Sequence, residues 1–255
     1  MIDLHCHILP GVDDGAKTID ETLEMLKSAI DEGITVITAS PHHNPEYHNQ
    51  RSGILEKVAE INQLITENQL PIQVLPGQEV RIYGELLEDY QAGKLVTSAD
   101  LSHYMLVEFP TDHVPRYADK LFYEMNLQGL QPILVHPERN VRILEEPNLL
   151  YNFVAQGVLS QVTASSLTGH FGKKIQKLSF QIIENNLTHF IASDAHNTTT
   201  RTFKMKNAFE LIAKKYSSSL ADEFKENAEK VIKNEALYPP AASKIKSKRF
   251  INLFK

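Results

Sequence analysis

Apolar positions recur along this chain in two alternating patterns: short runs rich in Val, Ile and Leu, and longer stretches with an apolar residue every third or fourth position. Residues 1–6 read as a first strand. Thr18-Ile19-Asp20-Glu21 fits a capping box, and Ile19, Leu23, Leu26 and Ile30 mark one face of a helix that stops at Gly33. Residues 34–39 are β-branched and short, a second strand. The alternation then continues with helix 54–68, strand 72–80, short helix 84–93, strand 104–107, helix 116–126 and strand 132–135. Helix 148–156, strand 158–162, helix 174–185 and a seventh strand, 189–193, follow. Helices over 203–215 and 221–234 precede a tail ending in Lys244-Ile245-Lys246-Ser247-Lys248-Arg249. About seven strand-helix repeats predict an α/β fold with a parallel sheet and helical crossovers. Closed on itself as a (β/α) barrel, such a sheet carries every strand's C-terminal end to one face, where barrels keep their chemistry. No linker, low-complexity segment or repeat interrupts the pattern, so residues 1–255 are expected to form a single domain.

The strand ends are where the polar residues become informative. His5 and His7 stand at i and i+2 of the first strand, facing one side, and a turn-prone run, Pro10-Gly11-Val12-Asp13-Asp14-Gly15, follows them. His42 follows the second strand, Glu79 ends the third, Glu108 the fourth, His136 the fifth, and Asp194 and His196 the seventh. A single His or Glu at a strand end is ordinarily a cap, an ion-pair partner or a solvated loop residue. Eight ligand-type side chains on one rim is a different matter. Imidazole and carboxylate without thiolate suit zinc, manganese or iron, and the number of ligands implies two or three ions. Such a cluster supports metal-assisted hydrolysis. Arg139 and Arg201 follow the fifth and seventh strand ends, where a guanidinium can grip phosphate with two hydrogen bonds or simply form a surface ion pair.

Other residues do not share that placement. His43, His48, His103, His113, His170 and His189 are expected on the surface or in packing, and Cys6 alternates away from its histidine neighbours as a small buried side chain. Cys6 is also no Cys-x5-Arg nucleophile, since Val12 stands where the arginine belongs. The chain carries a net charge of −6 with 42% hydrophobic and 23% charged residues, the balance of a soluble protein without broad affinity for nucleic acid. No stretch approaches a membrane span, no basic-then-apolar leader opens the chain, and one cysteine cannot form an internal disulfide. A cytoplasmic location without membrane insertion is expected, with the Lys/Arg tail a solvated end.

The blocks Asp3-Leu4-His5-Cys6-His7-Ile8-Leu9-Pro10-Gly11-Val12-Asp13-Asp14-Gly15, Ser40-Pro41-His42-His43, Gly77-Gln78-Glu79-Val80, His136-Pro137-Glu138-Arg139 and Ser193-Asp194-Ala195-His196 resemble the polymerase and histidinol phosphatase (PHP) superfamily. More narrowly, they resemble its bacterial manganese-dependent tyrosine-protein phosphatases of capsular and exopolysaccharide synthesis. The resemblance implies a distorted (β/α)7 TIM-like barrel holding three metal ions, manganese first, with iron and zinc as alternatives. It implies His5, His7, Glu79 and Asp194 at one ion, Glu79 as a bridge with Glu108 and His136 at a second, and Asp14, His42 and His196 at a third. Asp14 enters through the resemblance alone. Arg139 and Arg201 would clamp phosphate, and a metal-bound hydroxide would attack phosphorus. The implied substrate is phosphotyrosine on an autophosphorylating bacterial tyrosine kinase.

Three other readings compete with this one. A histidinol phosphatase or other small-molecule phosphoesterase would use the same metals behind longer enclosing loops. A metal amidohydrolase would carry a carbamylated lysine where Glu79 and Glu108 stand. A kinase-binding module with structural metals would show no turnover.

Overall fold

The computed structural model describes residues 1–100 and 102–246. Its strands are short and all pair in parallel. The first sheet contains β1 (Ile2–Cys6), β2 (Val36–Ala39) and β4 (Gln73–Leu75), in that order. The second runs β3 (His42–His43), β5 (Glu79–Arg81), β6 (Tyr104–Glu108), β7 (Gln131–Val135), β8 (Leu159–Thr163) and β9 (Phe190–Ala192).

One of the expected strands is broken. The 72–80 run divides at Pro76-Gly77-Gln78 because proline has no N–H for the ladder and Gly77 packs hard against β2. A Cβ at Gly77 would stand 2.5 Å from Thr38 Cγ2 and 2.9 Å from the Ala39 carbonyl. The second strand ends at Ala39 as expected, and the brief β3 follows Ser40-Pro41 in a segment read as loop. The ladder thus falls into two sheets rather than one continuous ring. An isolated parallel bridge between Cys6 and Ala195 links β1 to the segment after β9, with His7 N donating to the Ala195 carbonyl at 2.9 Å.

The helices form where the periodicity predicts: α1 (Ile19–Asp31), α2 (Arg51–Glu67), α3 (Leu86–Gln91), α4 (Ala118–Leu127), α6 (Asn148–Ala155) and α8 (Lys173–Glu184) cross over between strands, and α9 (Met205–Lys215) and α10 (Ser218–Ile232) follow β9. Two short ones, α5 (Val141–Glu145) and α7 (Ala164–Leu167), fall in segments too brief to show a period. Thr18 Oγ1 caps α1 by accepting Glu21 N, but the Glu21 carboxylate accepts the Lys17 amide rather than closing the box on Thr18.

Alternation along the strands separates two apolar layers. Tyr104, Leu106, Ile133, Val135, Leu159, Phe190 and Ala192 meet on one face, joined by Leu4 of β1 and closed by Ala228 and Val231 of α10. Met105, Val107, Leu134, Val162 and Ile191 face the surrounding helices. Pairing of β1 with β2 slips between Asp3 and Cys6, so Leu4 joins the first layer while Cys6 joins the second. The tail is not wholly solvated: Ile245 is buried and exchanges backbone hydrogen bonds with the Asn148 side chain. Ser247, Lys248 and Arg249 lie outside the described residues. Among the described residues, no helix is long and apolar enough to cross a membrane.

Candidate metal centre

The site grows from the strand ends opposite α10. Beyond β1, His7 is fixed from behind by Asp13, whose Oδ2 accepts the His7 Nδ1 proton at 2.7 Å and the His42 amide at 3.1 Å. Asp13 Oδ1 accepts the Gly15 amide, and Gly15 lies so close to His7 that a Cβ there would stand 2.2 Å from the His7 carbonyl. His5 Nδ1 meets the Gln161 side-chain carbonyl of β8 at 2.9 Å. With Nδ1 donating in both rings, each Nε2 offers a lone pair. Those two nitrogens face each other at 3.3 Å.

Two carboxylate oxygens close on the same point. Glu79 Oε2 stands 3.3 Å from both imidazole nitrogens, and Asp194 Oδ1 stands 3.5 and 3.4 Å from them. All four residues are buried, so this is a convergence of acceptors sealed from water. Asp14 Oδ1 lies 3.3 Å from His42 Nε2 and from His196 Nε2. His196 donates Nδ1–H to the Asp194 carbonyl, so its Nε2 too is an acceptor facing an acceptor. His42 reaches the other way with Nδ1, 3.0 Å from Glu79 Oε2 and 3.6 Å from Glu108 Oε1.

His136 approaches Glu79 from its far side, Nε2 to Oε1 at 2.6 Å, and lies 4.0 Å from Glu108 Oε2. Among the described residues, three groups have one ligand atom per residue within 4.8 Å of each other: His5, His7, Glu79, Asp194; His7, Asp14, His42, His196; and His42, Glu79, Glu108. Eight of the nine residues expected as ligands fall in these groups, with His7, His42 and Glu79 each in two, while His136 belongs to none and reaches Glu79 and Glu108 from the side.

Electrostatics expresses the same demand for positive charge. Burial pulls the His7 and His42 imidazoles down, but the surrounding carboxylates together outweigh it, Asp13 first for His7 and Glu79 first for His42, leaving His7 well above its ordinary value and His42 raised to about 10. Burial would raise Glu79, yet His5 and His42 hold it well below the usual carboxylate range. Glu108 goes the other way, up to about 7, through burial and the neighbouring Glu79 charge. His136 falls to about 4 because it is buried and faces Arg139. Buried Glu79 Oε2, His42 Nδ1 and His196 Nε2 have no hydrogen-bond partner. Cations satisfy all of these groups at once, and the imidazole-carboxylate set fits manganese, iron or zinc. Cys6 stays outside, its thiol 3.6 Å from the Ala195 carbonyl.

Arg139 and Arg201 meet at the second Asp194 oxygen, Nη2 atoms 2.7 and 3.0 Å from Oδ2, and Arg201 Nη1 lies 3.4 Å from Asp14 Oδ2. Two site residues, His136 and Asp194, occupy the left-handed region at φ 37° and 53°, a local strain that the packed surroundings hold in place. A cleft of about 360 Å³ opens beside them, bounded by Glu108, His136, Arg139 and Arg201.

Sequence reasoning missed the supporting residues. Asp13 sits in a run read as a turn, and Gln161 was hidden in a strand whose end offered only hydroxyls; a long polar side chain inside a buried strand was the available signal. Arg81, with Nε 2.8 Å from Glu108 Oε1, carried no sequence signal.

Fold and site together define an α/β protein with a buried cluster of imidazoles and carboxylates able to hold metal, flanked by arginines. The model of the capsular polysaccharide synthesis family CpsB/CapC matches residues 1–233, and the chain belongs to that family. It is 43% identical to the tyrosine-protein phosphatase YwqE of Bacillus subtilis over the full length of both proteins. With the tyrosine-protein phosphatase CpsB of Streptococcus pneumoniae the identity is 26%, over 93% of this chain and all of that one. A solved structure from work on YwqE and Streptococcus pneumoniae CpsB, described as unique metal-dependent tyrosine phosphatases, superposes with a TM-score of 0.95. That match has 44% identity and covers 97% of this chain and 100% of the other. A β-aspartyl dipeptidase from Fervidobacterium islandicum shares the fold alone, at 12% identity and a TM-score of 0.53 over 91% of this chain and 75% of its own.

Proposed function

We propose that this chain is a metal-dependent protein-tyrosine phosphatase acting as one domain over residues 1–255. The observation that carries the reading is the convergence of His5 Nε2, His7 Nε2, Glu79 Oε2 and Asp194 Oδ1, acceptors without a donor, beside two arginines that share the far oxygen of Asp194. We assign His5, His7, Asp14, His42, Glu79, Glu108, His136, Asp194 and His196 as ligands of three ions, manganese first. When bound, the ions neutralise charge on a phosphoryl group and make water acidic enough to react near neutral pH.

The chain's own residues do the rest. Arg139 and Arg201 hold the phosphoryl oxygens with charge-assisted hydrogen bonds and fix the group against the centre. Asp194 keeps those arginines oriented while its other oxygen faces the imidazoles. Gln161 and Asp13 hold His5 and His7 with their Nε2 atoms inward. A tyrosine phenolate leaves readily, since its pKa is about 10.

Reading β2 with β3 and β4 with β5 as single kinked strands leaves seven, and the Cys6–Ala195 bridge supports closing them into a distorted TIM-like barrel. The family's link to polysaccharide synthesis makes a bacterial tyrosine kinase in the cytosol the substrate we infer. The test is phosphate release from a tyrosine-phosphorylated peptide and from histidinol phosphate, by protein stripped of metal and then reloaded with Mn²⁺. Release from the peptide only with metal, lost in His5→Ala and His136→Ala, is the expected result. Preference for histidinol phosphate would replace this reading with a metabolic phosphatase, and a metal-loaded protein inert on both would leave a non-catalytic binding module.

A further inference from the structure

Phe171 is an aromatic residue without a place in the core. It is half-buried and, among the described residues, packs against neither apolar layer. Its ring meets the edge of His170, with centroids 4.9 Å apart, and lies 5.3 Å beneath the Arg139 guanidinium. The other phenylalanine lining the cleft, Phe109, is differently employed: it is buried, with its ring against Phe122 and Phe153 at 5.8 and 5.4 Å.

The loop that carries Phe171 is built to present it. Gly169 and Gly172 take φ values of +87° and +91°, a region open to glycine and costly for other residues. Gly172 N donates to the Gly169 carbonyl at 3.0 Å, closing a turn around Phe171, and Gln176 Nε2 ties the segment to the Leu167 carbonyl at 2.7 Å. A phenyl ring held partly in water beside a phosphate-binding arginine gains its burial only when another apolar group covers it.

We propose that Phe171 is a specificity-determining residue, the wall against which the phenyl ring of phosphotyrosine packs while Arg139 and Arg201 hold its phosphate. The proposal rests on the phosphatase reading above and deepens it. A single ester oxygen joins phosphate and ring in phosphotyrosine, so gripping the phosphate over Phe171 keeps the substrate ring within reach of the offset or edge-on contact that aromatic pairs favour. An alkyl phosphate has no ring to offer. The site thereby prefers aryl over alkyl esters without a separate recognition step.

The experiment measures calorimetric binding of benzylphosphonate, ethylphosphonate and inorganic phosphate to the Mn²⁺-loaded protein and to its Phe171→Ala and Phe171→Leu variants. The unaltered protein's turnover of the tyrosine-phosphorylated peptide is run alongside and tests the underlying reading separately. The expected result is a roughly tenfold preference for the benzyl over the ethyl ligand. That preference should vanish in Phe171→Ala and shrink in Phe171→Leu, while inorganic phosphate binds all three proteins within about twofold. Equal weakening of all three ligands would mean that Phe171 only props Arg139, and an unchanged preference would mean that the ring packs elsewhere; either overturns the proposal. The leucine variant keeps the apolar volume and supplies the answer if the alanine variant does not fold.

Discussion

Asp13 sets the direction in which His7 offers its lone pair, and it also anchors the His42 amide, so one carboxylate steadies parts of two ligand groups. Asp13→Asn removes the carboxylate that compels His7 to donate from Nδ1. Manganese affinity is expected to fall by about 10–100-fold, read by calorimetric titration with Mn²⁺; an unchanged Kd would sink this role. The proposed ligands other than Asp14 were legible because they stand at or just after runs of β-branched and apolar residues, which fix where a strand ends. Asp14 was legible only through resemblance, since aspartates in turns are common, and its neighbour Asp13 could not be told apart from it. What separates them is three-dimensional: Asp13 faces back toward His7 Nδ1, while Asp14 faces His42 and His196. Gln161 escaped for a related reason, because its partner His5 is far away in sequence and no local pattern marks the pair.

The strands themselves were written plainly in the chain, but their interruption was not. Pro76 and Gly77 look like an ordinary loop signal, yet the break depends on Gly77 lying against Thr38 and Ala39, a contact made by another element. Gly77→Ala forces a methyl into that contact and is expected to cost about 1–3 kcal/mol. Urea unfolding of the Mn²⁺-loaded protein checks this, and a midpoint equal to the parent's would show that β2 gives way. Thr18→Ala removes the hydrogen bond that begins α1, with an expected loss of about 1 kcal/mol in the same assay. The cap survives the loss of the reciprocal half of the box because Glu21 finds the Lys17 amide instead. Helices α5 and α7 were illegible for a simpler reason: neither is long enough to repeat an apolar face.

At the scale of the whole molecule, the buried ionisable groups make stability depend on pH and on metal. His189 is clear of the metal centre; it accepts the Ser160 amide at Nδ1, and burial lowers its pKa to about 4. The unfolded chain, with a histidine near 6.5, binds the proton first, so acidification between those values favours unfolding. Relative to His189→Gln, the wild type should lose about 3 kcal/mol as pH falls through that window; a difference that stays constant with pH would remove His189 as the cause. Manganese binding only the folded state should raise the Tm with ion concentration, and chelation should reverse it, as thermal scans would record.

The bridge between Cys6 and Ala195 carries a further consequence, for the order in which the chain is made. His5 and His7 leave the ribosome long before Asp194 and His196, so the first ligand group stays open until the last strand has emerged. Pairing over so great a separation comes late in folding. A chain cut short before β9 keeps an unpaired edge on β1, an invitation to aggregation or proteolysis. It also lacks Asp194 and His196, two of the proposed ligands. Activity is in this sense a certificate of completed synthesis.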